Sequence, residues 1–289
     1  MNKRAGAILM TIGAIVSVQF GASFAKSLFA TAGPLAMVFL RQVTAALLLW
    51  PVARPRRRGH SRADWLALAA YAASLVTMNA AIYAAFAHIP IGLAVTIEFL
   101  GPLAVAIGQG RGRRDLVWAG LAAVGVVLLG WSPGRLTVTG VAFALVAATA
   151  WACYILASPG AGRRWPGVQA VCLANSAGAL VFLGPVLALH PAVLAHPHVW
   201  AAGAAVGLLN SVIPYSLEIQ ALRHLEQRVF SILMSLEPAV AALAAFAVLR
   251  EALTVTDCVA MACVVVASAG ITATGRHPGG PAGAASRTP

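Results

Sequence analysis

Charge is what this sequence has least of: only 10% of its 289 residues are Asp, Glu, Lys or Arg, and just eight are acidic. With 60% of the chain apolar and a mean hydropathy of +0.85, so few polar groups cannot dress a water-soluble globule of this size. The bilayer must be its solvent. Cysteine is also scarce. Cys153, Cys172, Cys258 and Cys263 all fall in apolar runs, without zinc-like spacing, so they read as small packing residues rather than bridges or ligands. The chain has no His-Glu-x-x-His pair, no Gly-x-Ser-x-Gly elbow and no phosphate-binding glycine loop with Lys. Nothing specific therefore supports an intramembrane enzyme, and no metal or cofactor is expected. No polar stretch is long enough for a separate soluble domain.

Long apolar runs are plentiful. A spanning helix needs about 20 mostly apolar residues, because each rises about 1.5 Å through a hydrocarbon layer about 30 Å thick. Ten runs qualify: Ala5 to Ala25, Pro34 to Trp50, Trp65 to Ala87, Ile91 to Gln109, Leu116 to Trp131, Val138 to Ala157, Val168 to Leu189, Val199 to Leu217, Val229 to Leu249 and Val255 to Thr274. Trp50, Trp65, Trp118, Trp131 and Trp200 stand at their ends, where an indole buries its ring and still hydrogen-bonds at the headgroups. Lys3 and Arg4 before the first run resemble a signal peptide, but nine further spans favour an uncleaved first helix. The segment 276–289, rich in Gly, Pro, Ala and Ser, is expected to be a disordered cytoplasmic tail.

The net charge of +12 might suggest nucleic acid, but its distribution argues for membrane lipid instead. With the N-terminus inside, sixteen of the twenty basic residues fall in inside segments, chiefly Lys3 and Arg4, the run from Arg54 to Arg62, Arg111 to Arg114, Arg163 and Arg164, Arg223 and Arg228, and Arg276 and Arg287. Outside connections hold only Lys26, Arg135 and Arg250, and Arg41 lies within a span. Both termini are thus expected in the cytoplasm of a multi-pass inner-membrane protein.

The two halves resemble each other. At a shift of 134 to 136 residues Gly6 meets Gly140, Pro51 meets Pro185, Trp65 meets Trp200, His88 meets His224 and Pro102 meets Pro238. The order of these matches points to two five-helix repeats, 1–137 and 138–275. Because five is odd, the second repeat enters from the opposite side, so the repeats are inverted. That is a recurrent plan of secondary transporters, with a small-molecule site near the midplane and alternating access between the halves.

A charge at the centre of a bilayer costs about 3 kcal/mol, so it should face a partner or a wet cavity. Arg41 and Glu98 lie roughly eight residues into their spans from the same side, about 12 Å deep, and could pair. Glu237 lies at a similar depth from the other side. Pro102, Pro214 and Pro238 free the carbonyls of Glu98, Asn210 and Met234 and kink their helices, either lining a cavity or merely bending packed helices. Polar stripes recur at helical spacing: Gln19, Ser23 and Lys26; Asn79 and Tyr83; Ser211, Tyr215 and Glu218; Ser231 and Ser235. Such stripes suit a wet path, although Ser and Asn also cement helix pairs in lipid. Tyr83, Trp151, Tyr154 and Tyr215 could alternatively line a site for amphipathic cations. A passive channel is distinguished by flux that cannot run against a gradient, and small-residue stripes, which occur in every span, give no argument for a homodimer.

Three segments bring a family into view: "SVQFGASFAKSLF" from Ser17 to Phe29, "IGLAVTIEFLGPLAVAI" from Ile91 to Ile107, and "PYSLEIQALRHLEQRVFSILMSLEPA" from Pro214 to Ala239. They closely resemble the EamA-type drug/metabolite transporters, most nearly the branch that exports threonine and homoserine, over all but the tail. The Glu-Phe-x-Gly-Pro run at Glu98 to Pro102 and the Leu-Glu-Pro run at Leu236 to Pro238 carry the branch likeness. The resemblance implies proton-driven export of small amino acids by an antiporter. Many members carry Gly-Glu before the last span; this chain has Arg250 and Glu251.

Overall fold

A computed structural model describes residues 3–55, 59–109, 113–130 and 135–274, and all of its described regular structure is helical. The chain forms α1 (Lys3–Ser27), α2 (Phe29–Ala53), α3 (Arg62–Phe86), α4 (Ile91–Glu98), α5 (Leu100–Gln109), α6 (Arg113–Gly130), α7 (Val138–Arg164) and α8 (Gln169–Leu189). It continues through the short α9 (Pro191–Leu194), α10 (Pro197–Gly207), a π turn at Leu208–Val212, α11 (Ile213–Ala221), α12 (Gln227–Met234), α13 (Glu237–Leu249) and α14 (Val255–Thr274). Among the described residues nine helical segments are long and apolar enough to span a membrane, and a further apolar stretch, Leu116–Leu129, is shorter. Leu9, Leu47, Val52, Leu180, Leu243 and Val255 are exposed on the outside of the bundle, as lipid contact requires. Trp131, the arginines at 56–58, Arg111, Arg276, Arg287 and the expected tail lie outside the described residues.

Local chemistry sets the helix ends. Ser61 and Asp64 form a reciprocal cap on α3: Ser61 Oγ accepts from the Asp64 amide and the Asp64 carboxylate accepts from the Ser61 amide. Thr137 caps α7 through the Gly140 amide at 3.0 Å. In α2 the backbone leaves helical geometry at Gly33, with φ 76°, so the regular part begins at Pro34 as its apolar run does. Arg250 takes φ 59° at the end of α13, a left-handed conformation that glycine adopts without strain. A side chain there costs roughly 1 kcal/mol. The four cysteines form no disulfide. Cys172 is buried as expected, but Cys153 and Cys258 are exposed on the bundle surface rather than packed.

The packing of the halves is reciprocal. α1 packs against α10, the π turn, α11 and α13, while α7 packs against α3, α4 and α5, and α6 lies along α14. At the face where α1 ends, here the Lys26 face, one continuous apolar core joins Ala22, Ala25, Phe86, Ile89, Ile91, Ala241, Ala242 and Ala245. At the opposite, Lys3 face the buried clusters are separate. Tyr71 and Leu75 pack with Trp165, Ala7 with Ala221 and Leu225, and Leu103 with Ile271. The buried apolar core is thus continuous at one face and split into separate clusters at the other.

Candidate functional site

Three helix interruptions meet at mid-depth. The chain breaks between α4 and α5 at Phe99, because Pro102 has no N–H for the Glu98 carbonyl, and α5 presses so closely on α7 that a Cβ at Gly101 would overlap the Ala148 carbonyl. The Glu-Phe-x-Gly-Pro run thus has two physical reasons, a freed carbonyl and a close approach. α12 and α13 break at Ser235 and Leu236, just ahead of Glu237 and Pro238. In the π turn the Ile213 amide reaches back to Leu208, which releases the Leu209 carbonyl, and Pro214 offers no donor to Asn210. Both released acceptors are taken from the other half of the chain. Ser17 Oγ donates to Leu209 at 2.7 Å, and Arg41 Nη2 donates to Asn210 at 3.5 Å.

These breaks surround a cavity of about 130 Å³. Gln19, Arg41, Asn79, Tyr83, Glu98, Asn210 and Glu237 give it polar walls, and Val18, Ala22, Met78, Ile82, Phe86, Val95 and Trp151 close it with apolar ones. Glu98 and Glu237 are only 8% and 9% exposed. Glu237 lies within electrostatic reach of Glu98 and of Glu218. Arg41 is within reach of Glu98 without a direct ion pair, and its guanidinium stands over the Tyr83 ring at 5.7 Å from the centroid. The cavity therefore presents two carboxylates and one guanidinium beside the amides of Gln19, Asn79 and Asn210 and an apolar wall. It suits a small solute bearing both signs of charge.

Seven of the residues singled out in the sequence line this cavity: Gln19, Arg41, Asn79, Tyr83, Glu98, Trp151 and Glu237. Pro102, Pro214 and Pro238 do not touch it but break the helices beside Glu98, Asn210 and Glu237. Ser23 is buried one turn beyond Gln19, off the cavity wall. Lys26, one turn further, pairs with Glu251 at 2.6 Å and donates to the Ile89 carbonyl at 2.9 Å, while Glu251 accepts from the Ile91 amide at 2.9 Å. The stripe Gln19–Ser23–Lys26 thus runs from the cavity to a polar latch between α1, the α3–α4 turn and the α13–α14 turn. Beside it, Arg135 pairs with the buried Asp257 at 3.0 Å and donates to the Ala252 carbonyl. Tyr154 hydrogen-bonds Tyr71 at 3.2 Å, towards the Lys3 face, and Tyr215 and Glu218 occupy α11 on that side. Ser235 bonds Ser268 at 2.9 Å and so ties α12 to α14 rather than lining the cavity.

Sequence reasoning missed the Asn210 side chain, the wall formed by Met78, Ile82 and Phe86, and the pairing of Lys26 with Glu251. The wall was within reach, since those residues follow the Asn79–Tyr83 face at helical spacing. The pairing was not, because its partners lie more than two hundred positions apart.

Comparison with known proteins places the chain. The model of the EamA-like transporter family matches residues 138–273. The threonine/homoserine exporter RhtA of Escherichia coli K12 is 38% identical over 273 residues, covering 93% of this chain and 92% of that one. RhtA of Salmonella typhimurium LT2 is 37% identical over 274 residues, with the same coverage. A solved crystal structure, 20% identical, superimposes with a TM-score of 0.64 over 93% of this chain and 96% of its own, and shares the fold. With its broken helices, buried charges and apolar bundle, this chain belongs to the EamA-like transporter family.

Proposed function

We propose that the protein exports small amino acids of the threonine and homoserine type across the cytoplasmic membrane, coupled to protons, by alternating access between two inverted five-helix repeats. One observation carries the substrate class: Arg41, Glu98 and Glu237 converge on a single small cavity. A zwitterion needs a cation for its carboxylate and an anion for its ammonium, and in a space that excludes most water both are needed to replace hydration. The solutes that the relatives export, threonine and homoserine, agree with that demand. Two carboxylates where one ammonium needs only one leave a second site for a proton.

The repeats are 1–137 and 138–275, and the Lys3 face is cytoplasmic. Reciprocal packing of α1 and α7 into the opposite half supports the first assignment, and the basic residues gathered at the Lys3 face support the second. The continuous core and the Lys26–Glu251 latch belong to a state closed to the outside, with the cavity approached from the cytoplasm. One guanidinium and two carboxylates on the cavity wall favour a zwitterion over the amphipathic toxicants that the aromatic walls could otherwise hold.

The test is efflux of preloaded radiolabelled threonine and homoserine from cells expressing the protein, alongside Glu98→Gln and with a protonophore. Export above the vector control that collapses with both treatments is the expected result. Efflux equal to the control for both solutes overturns the amino-acid reading, and a screen for resistance to toxic cations then decides for the amphipathic class. Full proton-dependent export by Glu98→Gln removes Glu98 as the coupling group.

A further inference from the structure

Tyr83 lies on the cavity wall with 1% of its surface exposed, and among the described residues no well-formed hydrogen bond reaches its hydroxyl. Leaving such a group unpaired in an apolar environment is unfavourable, and native structures keep few of them without a functional reason. Its ring is fixed by Phe29 and Phe86, with centroids 6.0 and 5.8 Å away, so the hydroxyl cannot turn elsewhere for a partner. The Arg41 guanidinium stands above the ring, close enough to the hydroxyl to interact with it, but the contact falls short of a well-formed hydrogen bond. Arg41 itself has five N–H donors, and only the long bond to the Asn210 carbonyl occupies one. A phenol and a guanidinium side by side, both with donors to spare, call for an acceptor that both can reach, preferably an anion.

We propose that Tyr83 and Arg41 together form the carboxylate subsite of the transported amino acid. The Tyr83 hydroxyl donates to one carboxylate oxygen and the Arg41 guanidinium to the other, leaving the ammonium to one of the two acidic side chains, Glu98 or Glu237, across the cavity and the other free for the proton. This rests on the amino-acid reading above and goes beyond it by fixing the ligand's orientation and naming Tyr83 as a residue that selects for the carboxylate. The Pro214 interruption gains a purpose, because the carbonyl it frees holds Arg41 over the Tyr83 ring.

The experiment is competition against radiolabelled homoserine uptake into proteoliposomes of the purified protein, using threonine and threoninol, in which an alcohol replaces the carboxylate. Wild type and Tyr83→Phe are compared. Wild-type protein should prefer threonine over threoninol by roughly tenfold or more, the range of a hydrogen bond to a charged group. Tyr83→Phe should raise the KM for homoserine and the Ki for threonine roughly tenfold, with little change in Vmax or in the Ki for threoninol. Its melting temperature in detergent should match wild type or exceed it, because the substitution removes a polar atom that has no partner. Equal weakening of threonine and threoninol, an unchanged threonine Ki, or a marked loss of thermal stability would each assign the hydroxyl a packing role and overturn the proposal. Wild-type protein that binds threoninol as well as threonine overturns it whatever the variant does. Failure of the parent reading is distinct, since wild type would then transport neither amino acid.

Discussion

At the scale of the single residue, the rule that a charge within a span must be accommodated picked out Arg41, Glu98 and Glu237, which meet at one cavity, and it could do so because so few charges interrupt the apolar runs. The polar stripe of α1 also took in Lys26, which resolves its charge with Glu251 near a helix end. A sequence gives position along a helix, but neither the partner nor the depth at which the neighbouring turn ends. Serines were harder to sort, since a hydroxyl that cements two helices has the same spacing as one that lines a path. Ser235 is the cement. Ser235→Ala alone should destabilise the protein by about 1 kcal/mol, because it strands Ser268, while the double change Ser235→Ala with Ser268→Ala should recover much of that loss. Both variants should transport at wild-type KM. Thermal unfolding in detergent checks the first statement, and a raised KM for the double variant would contradict the second. Arg41→Lys keeps the charge but loses the planar fork and its stacking on Tyr83, so its KM for homoserine should rise about tenfold.

The elements show why prolines were ambiguous in the sequence. A proline inside an apolar run always frees a carbonyl, yet only the neighbouring helix determines whether anything uses it. Here Ser17 and Arg41, both from the first half of the chain, take the two acceptors released by the π turn around Asn210. The π turn itself left no mark in the sequence beyond Pro214. Replacing that proline with alanine restores a donor that competes with Arg41 for the Asn210 carbonyl. Pro214→Ala should therefore fold normally and raise the KM several-fold; unchanged kinetics would show that the freed carbonyl does not position Arg41. The latch at the Lys26 face belongs to the same scale. In a protein with its native cysteines replaced, Ser23→Cys should be poorly labelled from outside by a membrane-impermeant maleimide. Adding Glu251→Gln should speed that labelling several-fold, because the pair holding α1 to the α13–α14 turn is gone. Equal labelling with and without Glu251 would exclude the latch as an outer gate.

For the molecule as a whole, composition alone sufficed for class, and the alternation of basic loops gave an orientation before any helix was placed. The approximate bounds of the nine segments long enough to span were legible because apolar run length is dictated by bilayer thickness. The sealing of one face and the division of the other were not legible, since they depend on which of many similar Ala and Val faces meet. That asymmetry gives the proposed transport cycle a starting state, with the cavity approached from the Lys3 face and closed by the continuous core at the Lys26 face. The central claim is that this cavity carries a small zwitterion through the membrane with a proton. Its most direct test is homoserine uptake by proteoliposomes of the purified protein under an imposed pH gradient. The account predicts gradient-driven accumulation that falls to the protein-free baseline in Glu98→Gln and Glu237→Gln variants that remain folded; accumulation in wild type that ignores the gradient, or survives in both variants, would contradict it.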